Sequence, residues 1–158
     1  MPNVLLHAPQ DFRNLCVLAR TLEVFGHREC YVFDPRRLVR ERYGKSRTRE
    51  MRVVSAGAFS KISWQRIEEP ARFLSEYRGR VVATVADARA TELTRFEFAP
   101  ADLLVFGSES HGLPADIVAG AHAGVTIPSR GQTQSLNLAV SLAIVLYEAH
   151  RQLGGSGG

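Results

Sequence analysis

Only two cysteines, Cys16 and Cys30, occur in this chain. They lack both the close pairing of a zinc site and the density of a secreted disulfide scaffold, and read as small buried hydrophobes. No stretch reaches the roughly 18 apolar residues of a membrane span. The opening MPNVLLHAPQD has neither the basic start nor the long apolar core of a secretory signal. These absences point to a soluble, cytoplasmic protein without a membrane partner. Histidine is sparse and scattered: His7, His27, His111, His122 and His150 show no metal-ligand spacing, so no metal is expected. Internal repeats are missing, and low complexity is confined to the terminal GGSGG.

What the chain does have is enough apolar residues, 45% of 158, to build a single core. Its net charge of +4 is unevenly placed. Residues 35–52, PRRLVRERYGKSRTREMR, carry eight Arg or Lys against Glu41 and Glu50. The guanidinium fork suits phosphate oxygens, and Gly44, Ser46 and Thr48 suggest a flexible loop there, so the segment reads as a phosphate-backbone contact. The alternative is an ordinary solvated charged face.

Short apolar runs alternate with helical patterns. NVLLH (3–7), ECYVF (29–33), RVVATVAD (80–87), DLLVFG (102–107) and GVTIP (124–128) read as strands, the middle ones as buried parallel strands. Helices are expected over 12–25, with Leu15, Leu18, Leu22 and Phe25 in one stripe and Gly26 as stop, over 70–77, over 114–121, and from 135 to about 152. VVSAGAF and KISWQRI are less clear. The order implies an α/β sheet with helices on both faces. The last helix shows two apolar faces, Leu138, Leu142 and Val145 on one and Leu136, Val140, Ile144 and Tyr147 on the other. One face suits the core and the other a second subunit.

In such sheets the ligand sits beyond the carboxyl ends of the strands. Three of those ends are distinctive: GSESHGLP after LLVF, PSRGQTQSLN after VTI, and ADARA after TV. Gly107-x-Glu109-x-x-Gly112 places a carboxylate where a dinucleotide loop has its middle glycine, which argues against pyrophosphate and leaves a neutral or cationic nucleoside ligand open. In SLN, Ser135 and Asn137 flank Leu136 at the start of the last helix. Either can cap it, and only one is needed.

NLCVLARTLEVFG (14–26), LLVFGSESHGLP (103–114) and VTIPSRGQTQSLNLAVSLA (125–143) together resemble the three ordered motifs of the SpoU-type (TrmH-like) branch of the SPOUT superfamily, RNA ribose 2′-O-methyltransferases, in a minimal single-domain form. The resemblance implies a Rossmann-like α/β parallel-sheet domain over 1–153 with a C-terminal trefoil knot, followed by a Gly/Ser tail at 154–158. It also implies S-adenosylmethionine as cofactor, a homodimer, and RNA as substrate, with tRNA first and rRNA as alternative. The family's motif residues fall on Asn14 and Arg20, on Gly107, Glu109 and Gly112, and on Pro128, Ser135 and Asn137. The catalytic set implied is Arg20, Asn14, Glu109, Ser135 and Asn137. Thr84, Gly107, Gly112, Ile127, Ser135 and Leu136 would hold the cofactor, and Arg36, Arg37, Arg40, Arg47, Arg49, Arg52 and Arg130 would meet RNA. Three positions depart from the pattern: Cys16 and Ser110 stand where glycine is frequent, and Arg130 replaces an apolar residue.

The resemblance proposes the motif-one arginine as base, yet a guanidinium stays protonated in proteins. Gripping phosphate and stabilising the developing alkoxide is the role assigned to Arg20. Asn14 would orient the ribose. Glu109 either holds Arg20, shapes its loop, or faces the helix start after Gly112. A non-catalytic RNA-binding module and a base-methylating enzyme are the competing readings. The intact Arg20, Gly107 and Asn137 weigh against the first, and the SLN context against the second.

Overall fold

The computed structural model describes residues 1–132 and 135–154. Seven strands, all parallel, form one sheet: β1 (Asn3–His7), β2 (Glu29–Phe33), β3 (Ser63–Arg66), β4 (Val81–Thr84), β5 (Thr91–Glu92), β6 (Leu103–Phe106) and β7 (Ala123–Thr126). Their order across the sheet is β3-β2-β1-β6-β4-β7-β5. Five helices connect them: α1 (Phe12–Val24), α2 (Lys45–Val54), α3 (Pro70–Glu76), α4 (Ala115–Gly120) and α5 (Leu138–Gly154).

The period-two alternation of strand side chains sends one set to each face. Val4, Leu6, Val82, Leu104 and Phe106 pack with Leu15, Leu18 and Leu22 of α1 and Leu142 and Leu146 of α5. Leu5, Val81, Leu103 and Val105 pack on the other face with Leu74 of α3 and Ile117 of α4. Both faces are therefore dry, which is why these strands read as unbroken apolar runs.

Helix α1 starts on Asp11, whose Oδ1 accepts from the Asn14 backbone N–H at 2.7 Å. It ends where Gly26 adopts φ +80° and the His27 N–H donates to the Leu22 carbonyl. Leu15, Leu18 and Leu22 are buried as their spacing requires, and Cys16 and Cys30 are free, buried thiols. Burial pushes the Cys16 thiol up to about 11, with Glu50 adding to the shift, so it behaves as a hydrophobe.

The basic segment corrects the expectation of a flexible loop. Residues 45–54 form α2, a regular helix in which Lys45, Arg47, Arg49, Glu50, Met51 and Arg52 are strong helix formers. Met51 and Val54 rest against the core, while Arg47 lies over the Phe12 ring at 4.4 Å and Glu50 pairs with Arg13 at 3.4 Å. Ser46 and Thr48 are loop-like residues by type, yet they sit on the solvated side of a helix anchored at 47, 51 and 54.

The final helix begins at Leu138 rather than at 135, and Gly154, expected in the tail, is its last residue. Its two faces separate with one correction: Leu138, Leu142 and Val145 are buried and Leu136 just before it, Val140 and Tyr147 are 48%, 46% and 61% exposed, but Ile144, expected on the outward face, is half-buried against the core. The remaining tail, 155–158, lies outside the described residues. So do Thr133 and Gln134, in the segment near which the knot is expected.

Candidate active site

Three strand ends converge on one cavity of about 680 Å³. It is walled by Thr84–Asp87 after β4, Phe106–Leu113 after β6, and Val125–Arg130 after β7, and closed by Ser135, Leu136 and the first turns of α5. In the sheet β4 lies between β6 and β7, so their C-terminal loops are forced together. All six residues expected to hold a cofactor, Thr84, Gly107, Gly112, Ile127, Ser135 and Leu136, line this space.

The loop after β6 is built from backbone. Ser108 and Gly112 exchange two N–H···O bonds, both 3.0 Å, and Gly112 adopts φ +65° to close the turn. A Cβ at Gly107 would lie 2.1 Å from the Gly112 carbonyl carbon, so only glycine fits. The Thr84 hydroxyl proton is already used, Oγ1 donating to the Val105 carbonyl at 2.8 Å, which leaves its oxygen as an acceptor only.

Glu109 ties this loop to the start of α1. Its Oε1 accepts from Asn14 Nδ2 at 2.8 Å and its Oε2 from the Gln10 N–H at 2.9 Å. Of the roles open to it, the structure selects loop shaping: Glu109 grips Asn14 and Gln10, not Arg20. Asn14, the third residue of α1, is half-buried by this contact. Ser110 adds another tie, donating to Gln10 Oε1 at 2.8 Å, and its Oγ lies 2.6 Å from His111 Nδ1.

Arg20 is exposed on α1 and does not line the cavity. Among the described residues it makes no ion pair. Glu23, three residues further along α1, is taken by Lys61 at 3.0 Å and Arg28 at 3.5 Å, and those cations hold its carboxyl below the usual range. Asn137 also stays off the cavity wall. Its Oδ1 accepts from the Ala139 N–H at 2.8 Å and, more weakly, from Val140 at 3.4 Å, capping α5. Ser135, by contrast, faces the cavity. The two residues around Leu136 therefore divide the work between capping and lining.

Arg36, Arg37, Arg40, Arg47, Arg49 and Arg52 are exposed, and Arg36 Nη1 reaches the Gln10 carbonyl at 3.4 Å, linking the basic segment to the motif-one loop. Arg130 is exposed on the cavity rim. A second, shallower depression of about 270 Å³ is lined by Tyr43, Lys45, Thr48, Arg49 and Arg52. Sequence reasoning missed Gln10, Asp87 and Ser141 as neighbours of the site. For Gln10 a signal existed, since it directly precedes the capping Asp11. Among the described residues no cluster of three or more His, Cys, Asp or Glu is arranged to hold a metal, and no helix is long and apolar enough to cross a membrane.

With this geometry in hand, the comparisons with known proteins are specific. The SpoU rRNA Methylase family model matches residues 1–147. A tRNA (cytidine(34)-2′-O)-methyltransferase of Beijerinckia indica is 43% identical over 76 residues, 48% of this chain and 48% of that protein. The chain spans about half the length of the curated relatives it matches. A solved structure concerned with 2-OH methylation of C/U34 on tRNA superposes with a TM-score of 0.82 at 29% identity, covering 98% of this chain and 97% of that one. An AdoMet-bound rRNA methyltransferase from Sinorhizobium meliloti gives 0.78 at 26% identity, covering 96% and 56%.

Proposed function

This chain belongs to the SpoU rRNA methylase family, and on that premise we propose that it transfers methyl from S-adenosylmethionine to a ribose 2′-hydroxyl of RNA, tRNA before rRNA, as a cytoplasmic homodimer with a knotted C-terminus. One observation carries the reading. The three strand-end loops meet at a single cavity whose backbone wall tolerates no side chain at Gly107. The lining fits the cofactor. Ile127, Leu136 and Leu138 offer apolar flanks for a purine, and backbone groups of the 107–112 and 127–130 loops offer donors and acceptors for its edge.

Bound there, the sulfonium supplies an already activated methyl group. The protein's tasks are then to place the hydroxyl in line and to handle its proton. Asn14, held by Glu109, orients the ribose. Arg20, unpaired among the described residues and always charged, grips the adjoining phosphate and stabilises negative charge growing on oxygen. Ser135 serves the cavity directly, and Asn137 holds the start of α5 next to Leu136. The Arg residues of 36–52 follow the RNA backbone, with Arg130 at the cavity mouth.

The outward residues Leu136, Val140 and Tyr147, together with Val17 and Val24 of α1, form the apolar surface offered to a second copy. Calorimetric titration with S-adenosylmethionine and with S-adenosylhomocysteine tests the cavity. Labelled methyl transfer to RNA from a strain lacking the protein, followed by nucleotide mapping, tests the reaction. Failure to bind either compound overturns the reading and leaves a non-catalytic RNA-binding module. A monomer by light scattering at micromolar concentration overturns the dimer.

A further inference from the structure

Helix α2 has two sides of opposite character. Successive helical residues turn by about 100°, so Arg47, Met51 and Val54 share the side that rests on Phe12 and the core, while Lys45, Thr48, Arg49 and Arg52 share the opposite one. These four, with Tyr43, line the depression of about 270 Å³ apart from the cofactor cavity. All four are exposed, and no carboxylate lines the depression. Among the described residues Lys45, Arg49 and Arg52 enter no ion pair, and the one acid of α2, Glu50, faces Arg13 at 3.4 Å. This arrangement has a cost. Lys45 with Arg49, and Arg49 with Arg52, are like charges at i,i+4 and i,i+3, which weakens a helix, and α2 has no buried residue to compensate. A row of cations held against its own repulsion gains stability from anions laid along it.

Resting on the RNA methyltransferase reading above, we propose that this depression seats the phosphates of one unpaired RNA strand, next to the nucleotide that enters the cavity. From Lys45 to Arg52 the row runs for about 10 Å, at 1.5 Å per residue. A duplex is held through both strands across its grooves, whereas one line of cations matches one backbone. Tyr43 gives the bases no hydroxyl: its ring packs on Phe12 at 5.2 Å and on Phe59 at 6.1 Å, and its hydroxyl donates to the Leu38 carbonyl at 2.7 Å and accepts from the Arg40 N–H at 2.8 Å. The Thr48 hydroxyl proton is also used, Oγ1 donating to the Tyr43 carbonyl at 3.3 Å. Charge is what remains, so the seat reads the backbone and not the sequence. Its place fits the reaction. Phe12 and Arg13, the residues that α2 touches, directly precede Asn14, which Glu109 of the cavity wall holds at 2.8 Å. One turn of α1 thus joins the seat to the cavity.

Fluorescence anisotropy tests the seat, with a labelled single-stranded RNA of about ten nucleotides titrated with the full chain over a salt series, without cofactor. Replacing Lys45, Arg49 and Arg52 together by Gln should lower the slope of log K against log salt by about 2, three contacts at about 0.7 each. Arg78→Gln, at an exposed cation just after α3, which packs on the other face of the sheet, should leave the slope unchanged. A slope lowered by less than about 0.5, or an equal effect of Arg78→Gln, overturns the seat. The same RNA annealed into a duplex should lose less slope in the triple variant, and an equal or greater loss overturns the assignment to an unpaired strand. Two unrelated sequences should bind within about threefold of each other, and wider discrimination overturns backbone readout. The triple variant should melt no lower than the wild type, because like charges leave one helix side. A lower melting temperature means that these cations have structural partners, and overturns the seat. None of these measurements needs methyl transfer. A slope that falls as expected in a protein that methylates no RNA ribose overturns the methyltransferase reading and leaves the seat standing.

Discussion

Asn14 and Glu109, 95 residues apart, are joined by a 2.8 Å hydrogen bond from Nδ2 to Oε1, which fastens the start of α1 to the loop after β6. With the Gln10 N–H on the other oxygen, one carboxylate organises both segments. Glu109→Ala leaves two donors without their acceptor and should cost about 1–3 kcal/mol, seen as a melting temperature lower by roughly 3–8 °C. Glu109→Gln should lose less stability, because its carbonyl still accepts one of the two bonds. A melting curve of the Ala variant that superposes on the wild type would remove Glu109 from this role.

Arg20 separates structure from chemistry. Lacking an ion-pair partner among the described residues, it should be replaceable by Ala with unchanged melting temperature and cofactor affinity. Turnover should drop by about 10²–10³-fold or more, as for loss of a charge stabiliser. Lysine should restore little, since an ammonium cannot present the planar fork. Single-turnover rate and melting temperature measured on the same preparation decide the matter.

Asn137 and Ser135 should respond differently. Asn137→Ala removes the α5 cap at a cost of about 1 kcal/mol, and Asn137→Ser, another capping residue, should recover it. Ser135→Ala should leave the melting temperature alone and weaken cofactor binding. If Asn137→Ser keeps full stability yet loses cofactor affinity in calorimetry, Asn137 does more than cap.

The basic helix gives a salt-dependent readout. Triple replacement of Lys45, Arg49 and Arg52 by Ala should weaken RNA binding and flatten its dependence on salt, because each phosphate contact releases counterions. Arg47→Ala should additionally lower stability by about 0.5–1 kcal/mol through loss of its stacking on Phe12. An unaltered salt slope places the RNA elsewhere.

His27 makes the fold acid-sensitive. Burial first, and the Met1 ammonium second, bring its pKa down from 6.5 to about 4, and its Nε2 has no partner among the described residues. The unfolded chain therefore binds the proton more readily than the folded one. Stability should be fully present above pH 6.5 and fall between 6.5 and 4, by about 2–3 kcal/mol in total. His27→Leu should flatten the melting temperature across that window, and a profile as steep as the wild type would assign the sensitivity to other groups.

Five of the seven strands were legible because a sheet buried on both faces writes itself as continuous apolar runs, whereas β3 and β5, at the two edges of the sheet, carry no such run. The cavity walls were legible because strand-end loops carry unusual residues at fixed spacing. What escaped was partnership across long separations. Nothing near Glu109 in sequence announces Asn14, and nothing near Asp102, fully buried, announces that it receives Arg80 Nε at 2.9 Å and Nη2 at 2.7 Å. Gln152 reaching the Phe98 N–H and the Phe96 carbonyl is of the same kind. Strand order decides such meetings, and a local pattern does not encode it. Helix α2 was misread for a different reason: its residue types were weighed singly, while its anchoring at 47, 51 and 54 is a property of spacing.

The position of β1 in the sheet bears on how the chain is made. β1 pairs on one side with β2, complete by Phe33, and on the other with β6, where Val4 meets Leu104 and Leu6 meets Phe106. During synthesis from the N-terminus, the apolar edge of β1 must wait for some hundred residues before its second neighbour emerges, and α5, which completes with α1 the cover of one face, comes later still. Such non-local pairing slows folding and leaves an unpaired strand edge open to other chains. A ribosome stalled before Leu103 would carry a nascent chain in need of a chaperone, and fragments ending there should aggregate where the full chain does not.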